Sequence, residues 1–101
     1  MVYVIALVKL KPGKKDEFLD VLNSNVPKVR IERGCIEYVP TVDIDVGLPP
    51  QIMDENLVTI IEQWESPEAL RDHLATPHMA IYREKVADLV ENVILKVLRE
   101  V

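Results

Sequence analysis

Nine residues near the start, VYVIALVKL, constrain the fold more than any other stretch. In an extended strand Val2, Val4, Ala6, Val8 and Leu10 fall on one face and Tyr3, Ile5 and Leu7 on the other, so both faces are apolar. Such a strand has to be covered on both sides. The run is too short to cross a bilayer and has no basic residues before it, so it reads as neither signal peptide nor anchor, and a cytoplasmic location is expected. The chain has 101 residues, 49% of them hydrophobic, which makes one domain spanning 1–101 with no room for a second. A chain of this size hides only about 65% of its unfolded surface on folding, so its own core is modest.

Pro12 and Gly13 break the first strand, and Phe18, Leu22, Val26 and Val29 keep helical spacing toward Gly34, with Pro27 expected to kink or split that helix. A second strand is predicted over about Cys35 to Ile44 and a third over about Asn56 to Glu65, where Val58, Ile60, Glu62 and Trp64 share a face. The long connection DVGLPPQIMDE between them should cover a site, meet a partner or stay disordered. Ser66 with Pro67 and Glu68 marks a helix start, and Thr76 with Pro77 repeats the signal. Met79, Tyr82, Val86, Leu89 and Val93 then form a helical core stripe. A last strand runs from about Val93 to Val101, with Val93, Leu95 and Val97 on one face and Ile94 and Leu98 on the other.

The order β, α, β, β, α (broken), β predicts an α+β fold, a ferredoxin-like antiparallel sheet with helices on one face. The uncovered face, being apolar, predicts a homodimer packed sheet against sheet as an α+β barrel.

A net charge of −5 offers no basic stripe for phosphates or anionic lipid, so neither nucleic acid nor a membrane surface is an expected partner. The single cysteine, Cys35, cannot form an internal disulfide and reads as structural. No glycine-rich phosphate loop is present, and His73 and His78, five apart with Pro77 between them, lack the spacing of a helical zinc pair, so no metal or cofactor is expected.

Six residues remain as candidate chemistry. His73 lies on the inward stripe of its helix with Leu70 and Leu74, near a C-terminus that favours imidazolium, whereas His78 lies near an N-terminus that favours the neutral ring. Glu62 shares a strand face with Trp64 and is placed to orient a histidine. Trp64 and Tyr38 could wall a flat aromatic ligand, and Tyr82 is first a core residue.

Three stretches, GCIEYVPTVD, IEQWES and HLATPHMAIY, carry a resemblance to the antibiotic biosynthesis monooxygenase family, and within it to the bacterial quinol monooxygenases; it covers nearly the whole chain. The resemblance implies a dimeric α+β barrel and oxygen chemistry without flavin, haem or metal on electron-rich aromatics such as naphthohydroquinols. Trp64 and His73 carry over from family positions. On this reading His73 or His78 removes a proton, Glu62 orients a histidine, and Trp64, Tyr38 and Met79, with Tyr82, surround the substrate. The family's haem-degrading branch resembles this chain in fold, yet the asparagine of its first strand and its later histidine have no counterpart here. An isomerase of a phosphorylated autoinducer dione is the alternative activity, for which Arg30, Arg33, Arg71 and Arg83 form no evident cluster, and a non-catalytic dimeric binding module is the alternative without chemistry.

Overall fold

The computed structural model describes all residues, Met1 to Val101, in the order β1 (Val2–Leu10), α1 (Lys15–Arg30), β2 (Cys35–Val42), β3 (Leu57–Trp64), α2 (Pro67–Leu74), α3 (Pro77–Val86) and β4 (Val90–Leu98). The strands form one sheet in the order β2-β3-β1-β4 with every pair antiparallel, the ferredoxin-like arrangement expected from the pattern. The molecule is a slab of 36 × 35 × 20 Å: one sheet and one helical layer.

Alternation in β1 decides the layers. Val2, Val4, Ala6, Val8 and Leu10 are buried under the helices, while Tyr3, Ile5 and Leu7 are only half-buried on the other face. From α1, Phe18, Leu22, Val26 and Val29 enter the same core, joined by Val58, Ile60 and Trp64 of β3. α1 is one continuous helix rather than two. Pro27 sits in its last turn, so the missing N–H removes a single bond just before the helix ends.

Three other boundaries differ from expectation. The stripe of three and four runs past the end of α3: the chain turns after Val86, Leu89 plugs the core from that turn with its carbonyl accepting from Lys11 N–H, and Val93 belongs to the strand. β4 therefore starts at Val90 and ends at Leu98, where β1 runs out of partners at Tyr3. β2 ends at Val42, opposite Val58, and the chain from Asp43 to Asn56 leaves the ladder. That connection is held by its own side chains: Asp43 accepts from Asp54 N–H (2.8 Å), Asp45 from Gly47 N–H (2.9 Å), Gln51 bonds Ile44 and Val46, and Lys9 pairs with Asp54.

Both faces of β4 are open. Val93, Leu95 and Val97, on the helix side, are 50–55% exposed, and Ile94 and Leu98, on the bare side, are 50% and 41% exposed. The chain exposes 6720 Å², against about 5,800 Å² for a typical folded monomer of its mass.

Candidate active site

The tight turn between α1 and β2 positions the site. Gly34 has φ +87°, a left-handed conformation that glycine adopts without penalty, and its carbonyl accepts from Glu65 N–H (2.9 Å). A Cβ there would lie 2.6 Å from the Ala69 Cβ, so glycine also lets α2 press against the turn. α2 is capped by Ser66, whose hydroxyl accepts from Ala69 N–H (3.1 Å), and one turn further on it directs His73 inward. Thr76 then joins the helices: its hydroxyl accepts from Met79 N–H (3.3 Å) at the start of α3 and donates to the His73 carbonyl (2.9 Å).

These constraints bring His73 to a carboxylate, and the carboxylate is Glu32. His73 Nδ1 lies 2.8 Å from Glu32 Oε2, and the residue is 1% exposed. Glu62, expected to orient a histidine, instead accepts from Trp64 Nε1–H (2.9 Å), because the two share one face of β3 two residues apart. The Trp64 ring backs His73, with centroids 4.5 Å apart, and the Tyr38 ring meets His73 edge-on at 5.7 Å. His78 sits behind, its Nδ1 3.2 Å from Asn25 Oδ1, while Asn25 Nδ2 donates to Met79 Sδ (3.3 Å). His78 Nε2 lies 3.2 Å from the same Glu32 Oε2, within ion-pair range but off the line of a hydrogen bond, and has no other partner.

A cavity of about 340 Å³ opens beside His73, between the helices and the β4 side of the sheet. Ala6, Val8, Ile60, Val86, Val93 and Leu95 make much of its wall, and Tyr38, Met79 and Tyr82 also line it. Trp64 is not a wall residue: it is fully buried behind the imidazole and supports His73 rather than the contents of the cavity. Nor does His78 face the cavity. Of the four arginines considered for a phosphate, only Arg83 lines it, and Arg30 is occupied by donating to the Tyr38 carbonyl. No residue of the 43–56 connection reaches it.

The charged groups facing the cavity are tuned by burial. Burial pushes the Glu62 carboxyl up to about 7, against the opposing pull of the Trp64 N–H, so near neutral pH it exists substantially as the acid. Burial likewise lowers the pKa of His73, with Glu32 working in the other direction and His78 and Arg83 adding to the decrease. The Tyr38 and Tyr82 hydroxyls are held protonated, both chiefly by desolvation. With Glu32 accepting the Nδ1 proton, the neutral His73 ring keeps its Nε2 lone pair free. The cavity thus holds a neutral imidazole, a carboxyl that keeps its proton up to about pH 7 and an apolar wall.

Glu32 and Asn25 escaped the sequence reading. Asn25 lies on the inner stripe of α1 one residue before Val26, and Glu32 stands among charged neighbours in RIERG. The only local hint of a packed turn was Gly34.

Comparison with known proteins agrees with this architecture. Residues 1–85 match the antibiotic biosynthesis monooxygenase family. An Escherichia coli K12 protein named "Probable quinol monooxygenase YgiN" is 39% identical over 98% of this chain and 97% of its own. The crystal structure of PA3566 from Pseudomonas aeruginosa superposes with a TM-score of 0.84 at 27% identity, covering 99% of this chain and 93% of that one. Rv0793 from Mycobacterium tuberculosis gives a TM-score of 0.82 at 26% identity, covering 99% and 94%. The chain belongs to the antibiotic biosynthesis monooxygenase family, and by that membership is a monooxygenase.

Proposed function

We propose that this protein oxidises quinols, naphthohydroquinol-like aromatics in particular, with molecular oxygen and no cofactor, the substrate itself supplying the electrons. The observation that carries this reading is His73: a neutral imidazole, its Nδ1 tied to Glu32, at an apolar cavity of about 340 Å³. That volume is near the lower end for small-molecule sites, enough for a two-ring aromatic.

Triplet oxygen reacts slowly with closed-shell molecules, but an ionised quinol is a strong one-electron donor. His73 Nε2 takes the hydroxyl proton, and the quinolate passes one electron to oxygen, giving a substrate radical and superoxide that combine into a C–O bond. The imidazolium returns its proton to the peroxide. The O–O bond then breaks as the ring carbon loses its hydrogen, so that one quinol and one oxygen give one hydroxylated quinone and one water. Glu62 in its acid form and the Tyr38 hydroxyl stand by to donate hydrogen bonds to the anionic oxygens as they form. The YgiN name adds support, since quinol is the substrate it states for that relative.

Oxygen uptake with reduced naphthoquinol, in the presence of chelator and corrected for autoxidation, should rise in proportion to enzyme and yield hydroxylated quinone. No uptake above background would refute the reading.

The reading includes a second copy of this chain on the bare sheet face. Tyr3, Ile5, Leu7, Ile61, Ile94 and Leu98 lie on that face, and covering it would remove the surplus exposed surface noted above. Analytical ultracentrifugation should show a dimer that Ile5→Lys converts to monomer; a wild-type monomer at micromolar concentration would count against it. A cytoplasmic location, where Cys35 stays reduced, belongs to the same reading and is checked by cell fractionation.

A further inference from the structure

One member of the cluster behind the cavity, His78, is not used by the chemistry above. Glu32 Oε2 is shared by two histidines from two different helices, His73 Nδ1 at 2.8 Å and His78 Nε2 at 3.2 Å. Behind His78 stands Asn25, buried, with its amide fixed between His78 Nδ1 and Met79 Sδ. An oxygen therefore lies 3.2 Å from each nitrogen of His78, Asn25 Oδ1 in hydrogen-bond geometry with Nδ1 and Glu32 Oε2 beside Nε2 but off the hydrogen-bond line. His78 is also the member of the cluster that solvent reaches most easily: its side chain is 19% exposed, against 2% for His73 and 13% for Glu32.

We propose that His78 is a positioning residue that sets the basicity of His73 through the carboxylate they share, so that the proton content of a ring outside the cavity governs the base inside it. When His78 Nε2 carries a proton, its positive charge 3.2 Å from Glu32 offsets part of the negative charge that would otherwise bear on the His73 Nδ1 proton. The same proton repels the His73 imidazolium directly. Both effects act in one direction: His78 weakens His73 as a base, and Glu32 strengthens it. The other groups around His73 are Arg83 from α3, Tyr38 from β2 and Glu62 from β3; none of them hydrogen-bonds Glu32, although, after burial, its charge also raises the pKa of both Tyr38 and Glu62. The inference rests on the oxygenase reading for its consequence in turnover, though not for the coupling itself.

Since the chain has only two histidines, each imidazole can be followed by ¹⁵N NMR and assigned with single variants of the full-length protein. The His73 midpoint should rise by at least about half a pH unit in His78→Ala and fall by at least about as much in Glu32→Gln. His78→Gln, whose amide can donate to the carboxylate, should restore most of the wild-type value. In the Glu32→Gln background, His78→Ala should shift His73 much less, because the shared carboxylate is gone. Thermal unfolding confirms that each variant is folded; if Glu32→Gln does not fold, His78→Ala with its Gln rescue is the deciding pair.

A His73 midpoint that stays put in His78→Ala, or moves equally in both Glu32 backgrounds, overturns the proposal. With quinol as substrate, the acid limb of kcat/KM should move with the NMR midpoints. Shifted midpoints without oxygen uptake would sink the oxygenase reading and leave the coupling standing, whereas normal uptake with unmoved midpoints would do the reverse.

Discussion

His73→Gln should lower kcat/KM for quinol-dependent oxygen uptake by about 10²- to 10⁴-fold at pH 7, the range that a positioned general base contributes. Glutamine fills much of the space of imidazole and can still donate to Glu32, so the loss reports on the missing lone pair rather than on a collapsed site. The pH dependence sharpens the test. Burial lowers the pKa of His73 below that of a free imidazole, so the wild-type base is already neutral at pH 7 and its activity should change little above that point. The variant must rely on quinol ionised in solution, and its rate should climb toward wild type at about tenfold per pH unit below the quinol pKa, near 10 for a phenol. A variant with the wild-type rate at pH 7 would remove His73 from the mechanism.

Glu62→Gln should change stability rather than fold, and by a pH-dependent amount. Glu62 is raised from 4.5 to about 7, so between those values the folded chain holds a proton that the unfolded chain has released. Stability from this group is therefore complete at low pH and is lost as pH rises through the folded value. The full loss amounts to about 3 kcal/mol by pH 8, a tenfold change in proton affinity being worth about 1.4 kcal/mol. Glutamine cannot ionise, yet it keeps an oxygen to accept the Trp64 Nε1–H. Urea unfolding at one fixed protein concentration should thus show the two proteins similar at pH 5 and the variant more stable by about 3 kcal/mol at pH 8. Curves that run parallel across this range would show that the buried carboxyl does not govern the pH dependence.

The two experiments bear on one design. An apolar cavity raises the cost of charge, and the same desolvation favours the neutral form of His73 and raises the Glu62 carboxyl to about 7. The base and the acid are products of the wall around them. The exposed apolar residues Val93 and Leu95 of β4 extend that wall.

Much of this was legible in the sequence because the governing forces are local or periodic. Alternation in VYVIALVKL sorted the residues of β1 into two faces, both apolar, of which the structure puts that of Val2, Val4, Ala6, Val8 and Leu10 under the helices, and Ser66-Pro67 and Thr76-Pro77 marked two helix starts at which the structure shows capping hydroxyls. The inward position of His73 followed from its place beside Leu70 on a helix stripe. The errors came where local rules overlap: the spacing of Met79 to Val93 continued by coincidence through a turn, and Pro27 lay too near a helix end to break it.

What tertiary structure alone decided is the company each polar group keeps. Glu62 was the obvious partner for a histidine, being a carboxylate on the right strand face, but a closer N–H on Trp64 satisfies it first. Glu32 reaches His73 across 41 residues and Asn25 reaches His78 across 53, distances at which a sequence carries no periodicity to read. Hydrophobic patterning specifies which face of an element is buried because every residue on that face contributes. A hydrogen bond between two turns depends on how whole elements pack, and only the folded chain fixes that geometry.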